Sequence, residues 1–457
     1  MSIVFRIAFT FLLGFFVLTE AKLVKHDIFS FVDQALQTDP RVAELEFGLQ
    51  SKTDRIAAIK KEVILPRLQG GIAFGPAPGL QSTVNAQGDS ISVWDFTKLG
   101  PYFGTEINFA QPLNVGQLLT GIDAAQADYE QTKWDIRYKK VHQSLEYQQM
   151  YYGYLLSVEM LKLAADAEKQ LERAEEAIED ALDDDVEGVS QNDLLTLRAG
   201  SYQVAKGQAE AQKGYAKAKS AMYFALNLEI QDSLELADSL LLPRTEIVPP
   251  LDTLRLWLRA ESPELKRLKA GLSAKSSLVE LEKAKLGPEF FVFGSFKYAK
   301  SWAGDRKGKS RDVFSEDPIN TLSGSLGLGL RYKLNVWHTA EKVRQSKTDL
   351  RQLQMLEKYA ASGLELQLED YYHEYLESQT RLEAVQKSLR ATDAMLKGAA
   401  MSFDLDPSNP KALLNAYVAN MNMQKDYYFE VYRYNMAVAK LMTHLGLLLQ
   451  DYLPYLN

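Results

Sequence analysis

The sequence predicts a mainly α protein with a small β part, and three observations lead to that fold class. Two stretches of about 70 residues, 113–182 and 336–403, contain no proline and carry apolar residues three and four positions apart, as packed helices do. Four shorter stretches alternate bulky residues with small or polar ones, as strands do. These elements occur twice in the same order, which indicates an internal repeat.

The repeat is visible in matching positions along the chain. Asp39-Pro40 opens one helical segment and Ser262-Pro263 opens another, and each segment is followed by a proline and a strand-like stretch. Pro112-Leu113-Asn114-Val115 recurs 221 residues later as Lys333-Leu334-Asn335-Val336. A constant separation over this distance predicts two copies of one unit, residues 22–262 and residues 263–457.

Each copy is predicted to contain a helix, two strands and two long helices. In the first copy we expect strands at 67–75 and 101–111, helices at 113–182 and 190–228, and a linker at 229–262. In the second copy we expect strands at 290–302 and 322–334, helices at 336–403 and 410–448, and a C-terminal tail.

The first 21 residues have the pattern of a cleaved secretory signal. Arg6 precedes an apolar run from Ile7 to Leu18, and Thr19-Glu20-Ala21 supplies small residues near a cleavage site. The run is shorter than the roughly 20 residues that a spanning helix requires, so a permanent anchor is the weaker interpretation. The sequence therefore predicts an exported protein.

Composition excludes several classes of protein. The chain has no cysteine, which rules out a lipid on an N-terminal cysteine, disulfides and thiolate metal sites. The formal net charge is −8, with 52 Lys plus Arg against 60 Asp plus Glu. Because phosphate binding needs a basic surface, nucleic acid is not an expected partner.

The strands have one face suited to lipid and one suited to water. From Leu322 to Leu334 every second residue is bulky, except at Gly324, and the intervening residues are small or charged. Such strands are close to the 9 to 11 residues that cross a bilayer. A soluble antiparallel sheet with one covered face would show the same alternation. The long helices favour the membrane, because each would extend roughly 100 Å and no compact domain contains such rods.

Four strands are too few to close a membrane barrel, and an open sheet edge in lipid leaves backbone groups unpaired. The sequence therefore predicts that four strands per subunit contribute to a shared transmembrane β-barrel. Duplicated long helical hairpins would form an α-barrel that continues it. This makes the chain an obligate homo-oligomer, of two, three or more copies.

The chain resembles the TolC-like outer-membrane efflux protein family over nearly all of its predicted mature sequence. Residues 189–195, Val-Ser-Gln-Asn-Asp-Leu-Leu, are similar to the family's segment after a helix turn, and Gln111-Pro112-Leu113-Asn114 is similar to its strand-to-helix corner. The second turn departs from the family, with Pro407-Ser408-Asn409-Pro410 where a glycine-containing turn is usual.

The resemblance implies a homotrimer in the bacterial outer membrane, in contact with its lipid, with a helical tube in the periplasm. It also implies docking to a periplasmic adaptor (membrane fusion) protein and to an inner-membrane pump or ABC transporter. The expected function is a passive exit duct for efflux or type I secretion. Segment 189–195 would then lie at the tube's tip, with adaptor contacts expected at Val189, Ser190, Asp193 and Leu194.

The acidic residues near the two turns are candidates for a gate or selectivity ring, because rings of Asp select cations. They are Asp183, Asp184, Asp185, Asp404 and Asp406. A plainer explanation is that turns favour Asp, and Ser190 with Asp193 also fits a capping box. Barrel-lumen candidates are Glu106, Asn108, Arg331 and Lys333. Their polarity would also be needed simply to wet a pore.

No catalytic constellation is present in the sequence. The five histidines lack the paired spacing of metal ligands, and Gly327-Leu328-Gly329 lies in a strand with no helix to follow it. We therefore expect no enzyme activity, no cofactor and no metal. Two alternatives to a conducting channel are a soluble periplasmic coiled-coil adaptor or scaffold, and a degenerate family member that no longer conducts.

Overall fold

A computed structural model of the chain describes residues 25–84, 86–88, 90–184, 186, 188–229, 234–245, 247–303, 320–332, 334–405 and 410–451. The described part is mostly helical with a small strand portion, which confirms the predicted mainly α composition. The predicted signal segment, residues 1–21, and the end of the C-terminal tail lie outside the described residues.

The described helices and strands are numbered here in chain order. The helices are α1 (Ile28–Thr38), α2 (Pro40–Ile64), α3 (Val115–Asp183), α4 (Gln191–Leu226), α5 (Leu251–Glu261), α6 (Pro263–Ala284), α7 (Val336–Leu405) and α8 (Pro410–His444). The strands are β1 (Lys25–His26), β2 (Arg67–Val84), β3 (Ser90–Pro112), β4 (Glu235–Leu236), β5 (Glu289–Ser301) and β6 (Thr321–Arg331). The order α2-β2-β3-α3-α4 is thus followed by α6-β5-β6-α7-α8.

Two compact units account for the described residues. Unit 1 contains the described residues up to 47, those of 134–266, and those from 359 onward. Its core is apolar, and Phe31 of α1, Tyr151 of α3 and Leu441 of α8 are fully buried in it. Burying one such side chain stabilises a fold by about 1.5–3 kcal/mol. Strands β1 and β4 pair in parallel in this unit.

Local capping explains where α2 and α6 begin. The side chain of Asp39 accepts a hydrogen bond from the backbone N–H of Arg41 at 2.8 Å, and Pro40 occupies the first helical position. Ser262 is the corresponding residue before Pro263, and its Oγ accepts from the N–H of Leu265 at 3.4 Å. Proline is favoured at the first helical position because its missing N–H would have no helical partner there.

Unit 2 contains the described residues of 48–133 and of 267–358, and it is organised around a four-stranded antiparallel sheet. The strand order is β2-β3-β5-β6, so each predicted strand pair forms a hairpin and the two hairpins meet at β3 and β5. The registers Ile107↔Phe296 and Val292↔Leu328 fix which side chains share a face. Within the described residues, β2 and β6 are the edges of this sheet.

The first two strands are longer than the predicted 67–75 and 101–111. Pro76, Pro78 and Pro101 mark these boundaries in the sequence, because proline cannot donate a ladder hydrogen bond. In the structure β2 is an edge strand, and the pairing of β3 with β5 ends at Tyr102. The prolines therefore occupy positions with a partner strand on one side, where they are tolerated. Residues 229–262, predicted as a linker, include β4 and α5.

Candidate functional site

The sheet of unit 2 has one apolar face, which is exposed in the single chain. The face is defined by Leu68, Ile72, Phe74, Ile107, Phe290, Phe296, Leu322, Leu326, Leu328 and Leu330, which the strand registers place on one side. Leu328 is 80% exposed, Phe74 78% and Leu326 77%. A contiguous apolar surface of this kind marks contact with lipid or with another protein.

The opposite face is polar and carries three of the predicted lumen residues. Glu106, Asn108 and Arg331 lie on it, together with Gln69, Ser295, Lys297, Ser323 and Ser325. The Asn108 amide donates to the Glu106 carboxylate at 2.8 Å, and the hydroxyls of Ser295 and Ser325 are 2.7 Å apart. The fourth predicted residue, Lys333, lies outside the described residues. This face can line water, because these side chains carry charged, amide or hydroxyl groups.

Aromatic rings packed over glycines hold the strands together on both faces. A Cβ atom at Gly294 would lie 2.1 Å from the ring of Phe109, and one at Gly329 would lie 2.3 Å from the ring of Phe291. The glycines that alternate with leucines in β6 therefore make room for rings from β5. The sequence shows the alternation, but the partner ring is known only once the strand order and register are known.

The predicted acidic cluster follows the end of α3. Asp183 is the last residue of α3 and Asp184 follows it, and both side chains are exposed. The chain reverses through Gly188, whose φ of 98° is a conformation that favours glycine. Asp404 belongs to the last turn of α7. Asp185 and Asp406 lie outside the described residues.

Asp193 ties the beginnings of α4 and α8 together. Its carboxylate accepts hydrogen bonds from the backbone N–H of Ser190 at 3.0 Å and from the Ser190 hydroxyl at 2.8 Å. It also forms an ion pair with Lys411 of α8 at 2.5 Å. Lys411 and then Ser190 lower the pKa of Asp193 below its ordinary value, because both stabilise the charged carboxylate. The carboxylate is thus a fixed structural charge.

The structure separates the predicted adaptor-contact residues into buried and accessible ones. Leu194 is buried in a small cluster with Ile178 and Leu197, and Asp193 is buried as well. Ser190 is exposed and Val189 is half-buried. The neighbouring Leu195, which was not among the predicted contacts, is 55% exposed. The surface that segment 189–195 offers to a partner is therefore formed by Ser190 and Leu195 more than by Asp193 and Leu194.

Two other kinds of feature are absent from the described residues. No three or more His, Asp or Glu side chains are placed there to hold a metal ion together. None of the described helices combines the length and the apolar composition needed to cross a membrane.

No protein-family model and no curated protein matches the chain, whereas several solved structures share its fold. The Campylobacter jejuni CmeC outer membrane channel superposes with a TM-score of 0.71 at 13% identity, over 92% of this chain and 85% of that one. The open state of the Neisseria gonorrhoeae MtrE outer membrane channel superposes with a TM-score of 0.71 at 14% identity, over 92% of this chain and 88% of that one. CusC, whose structures concern folding and transmembrane channel formation, superposes with a TM-score of 0.70 at 15% identity, over 93% of each chain. Identities this low show the fold alone, and the chain has the TolC-like fold of these outer-membrane channels.

Proposed function

We propose that this chain is the outer-membrane channel, or exit duct, of a tripartite efflux or type I secretion system and conducts substrates passively to the exterior. The observation that carries the proposal is the two-faced sheet of unit 2. Its apolar face is exposed in the single chain, whereas its polar face is lined by hydrogen-bonding side chains. Lipid on one side and a water-filled lumen on the other satisfy both faces at once.

The same sheet supports assembly from several copies. Within the described residues, β2 and β6 are edge strands, and an unpaired strand edge in lipid costs several kcal/mol for each unsatisfied backbone group. Strands from further copies would pair these edges and close the barrel. We propose a homotrimer, as the family resemblance implies.

The helices of unit 1 offer a second surface for assembly. Gly200, Gly207 and Gly214 follow one another at seven-residue intervals on α4, and apart from the adjacent backbone of α4 itself no atom lies within 4 Å of a Cβ built at any of them. They line a groove of about 790 Å³ together with Leu156, Met160, Val418, Met421 and Phe429. A helix from a second copy would fill such a groove, as expected if helical hairpins form a shared tube.

A duct of this kind needs no nucleophile, cofactor or metal, since it provides a path and a selective constriction. Its partners would be outer-membrane lipid, a periplasmic adaptor protein and an inner-membrane pump or ABC transporter. The exposed Ser190 and Leu195 are the contacts that we propose for the adaptor.

The native mass of the protein in mild detergent tests this function. We expect the mature protein in the outer-membrane fraction, extracted only by detergent, with three times the mass of one chain, because the exposed apolar face must be covered by lipid or detergent. Light scattering coupled to size-exclusion chromatography measures that mass. A monomer in the aqueous periplasmic extract would contradict the channel and favour a soluble scaffold.

We also propose that the acidic residues at the tip, Asp183, Asp184, Asp185, Asp404 and Asp406, select cations at the narrow end of the duct. The support is that Asp183 and Asp184 are exposed beside a chain reversal. Carboxylates at the C-terminal end of a helix, as at Asp183 and the following Asp184, also oppose the helix dipole, so they are an unfavourable choice for stability alone.

Neutralising the tip should reduce cation selectivity. With Asp183→Asn and Asp184→Asn combined, we expect the reversal potential in a tenfold KCl gradient to move toward zero, because fewer carboxylates attract cations to the constriction. Single-channel recording in planar bilayers measures it. Asp54→Asn removes an exposed carboxylate from α2 and serves as the control. An equal shift in that variant would assign the effect to net charge and not to the tip.

A further inference from the structure

We propose that β2 of one copy pairs with β6 of the next copy in a single defined register, in which Leu328 lies opposite Phe74 and the side chain of Asn335 accepts a hydrogen bond from the backbone N–H of Leu68. This proposal rests on the proposed function, since it names the surface through which a second copy of this chain completes the sheet. It follows from residue-by-residue correspondence between the two hairpins.

The starting points of the elements set that correspondence. Helix α3 begins at Val115 and α7 at Val336, a separation of 221 residues, whereas β2 begins at Arg67 and β5 at Glu289, a separation of 222. The hairpin registers agree with both values. Arg67 pairs with Ala110 in the first hairpin, and the residues 222 and 221 positions later, Glu289 and Arg331, pair in the second.

The junction between the two hairpins provides a template for the junction between two copies. At this junction β3 of the first hairpin pairs with β5 of the second, with Ile107 opposite Phe296 and Phe109 opposite Gly294. Strand β6 corresponds to β3, and β2 corresponds to β5. In each pair, the β3 residue is replaced by the β6 residue 221 positions later, and the β5 residue by the β2 residue 222 positions earlier. This places Leu328 opposite Phe74 and Leu330 opposite Ile72.

This register preserves both faces of the sheet. Leu328, Phe74, Leu330 and Ile72 all belong to the apolar face and are between 63% and 80% exposed in the single chain. The polar-face residue Arg331 would lie opposite the small Gly71. A slip of one residue would instead join the apolar face of one copy to the polar face of the next, as any one-residue slip between strands does.

A side-chain hydrogen bond fixes the template junction, and its counterpart is available at the edge. Asn114 Oδ1 accepts from the backbone N–H of Phe290 at 2.7 Å, and the carbonyl of Phe290 accepts from the N–H of Leu113 at 2.7 Å. The corresponding residues are Asn335, Leu68 and Leu334. All three are exposed in the single chain. Asn335 of one copy would therefore hold Leu68 of the second copy as Asn114 holds Phe290.

Disulfide crosslinking tests the register, and the absence of cysteine from the sequence makes the background clean. Residues directly opposite in antiparallel strands have Cα atoms about 4.5–5.5 Å apart, within the range that a disulfide spans. The combination Phe74→Cys with Leu328→Cys, oxidised in outer-membrane vesicles, should give a covalent oligomer on a non-reducing denaturing gel. Reductant should return it to the single-chain mass.

Two further pairs make the result specific. Phe74→Cys with Leu326→Cys samples a register slipped by two residues and should crosslink poorly, because such diagonal neighbours are about 7–8 Å apart. Ile107→Cys with Phe296→Cys lies within one chain and should oxidise without any increase in mass. Stronger crosslinking of the slipped pair would overturn the proposed register.

The test also separates failure of the register from failure of the channel. No crosslink in either edge pair, in a protein that still extracts as an oligomer, would overturn the register alone. A monomer in the aqueous extract would overturn both. For the hydrogen bond, Asn335→Ala should lower the temperature at which the oligomer dissociates to single chains in denaturing detergent. An unchanged dissociation temperature would remove Asn335 from the junction.

Discussion

The proposed channel function predicts that replacing Leu328 with Arg removes the protein from the outer membrane. Leu328 lies on β6 and is 80% exposed on the apolar face. An arginine on the lipid face of a membrane strand costs about 2–4 kcal/mol near the bilayer midplane, and the cost recurs in every copy of an oligomer. Since 1.4 kcal/mol is a factor of ten, we expect the yield of detergent-extracted oligomer to fall at least about tenfold. Immunoblotting of membrane and aqueous fractions measures this yield.

The matched control places the same arginine on the other face of the same strand. Ser325 belongs to the polar face, where its hydroxyl lies 2.7 Å from that of Ser295. Ser325→Arg should therefore assemble nearly as well as the parent protein, since the new charge would point into water. If Leu328→Arg assembled as efficiently as Ser325→Arg, the apolar face would not be in lipid.

The two-faced character of the sheet could be predicted from sequence, because alternation is a local property. Between residues 322 and 330 the leucines alternate with small or polar residues, and the structure places the leucines on one face. The extent of β2 and β3 could not be predicted in the same way. A proline such as Pro76 or Pro101 ends a strand if partner strands lie on both sides, but it is tolerated if its nitrogen faces a side without a partner. Which case applies depends on the strand order, and long-range pairing decides that order.

The sequence of segment 189–195 does not distinguish its exposed residues from its buried ones. Asp193 was predicted both as the capping partner of Ser190 and as a contact for an adaptor, and its hydrogen bonds with Ser190 are present in the structure. Its ion pair with Lys411 could not be predicted, because the two residues are far apart in sequence. Local sequence also gave no sign that Leu194 is buried whereas Leu195 is exposed.

Helix α1 was not predicted, although the sequence contains a signal for it. Asp27 caps the helix by accepting from the N–H of Ser30 at 2.7 Å. Ile28, Phe31, Val32 and Ala35 then follow at helical spacing and are all buried. An Asp followed by this apolar pattern is a recognised helix start. The helix contributes fully buried residues to unit 1, so its packing has a large expected effect on stability.

Replacing Phe31 with Ala should strongly destabilise unit 1. Phe31 is fully buried, and its ring lies 5.6 Å from that of Tyr151 and 6.5 Å from that of Tyr147, centre to centre. Large-to-small changes of this kind lower the free energy of unfolding by about 3–5 kcal/mol, because the lost burial leaves a cavity. For a unit of this size we expect a fall in melting temperature of roughly 10 °C, measured by circular dichroism on the detergent-solubilised protein.

An exposed phenylalanine in the same unit distinguishes core packing from the loss of any aromatic ring. Phe47 is 70% exposed, so Phe47→Ala should change the free energy of unfolding by no more than about 0.5 kcal/mol. Equal melting temperatures for the two variants would show that α1 does not pack into the core. A large loss for Phe31→Ala alone would show that this short helix stabilises the α3 segment carrying Tyr147 and Tyr151, and thus one of the long helices from which the proposed tube is built.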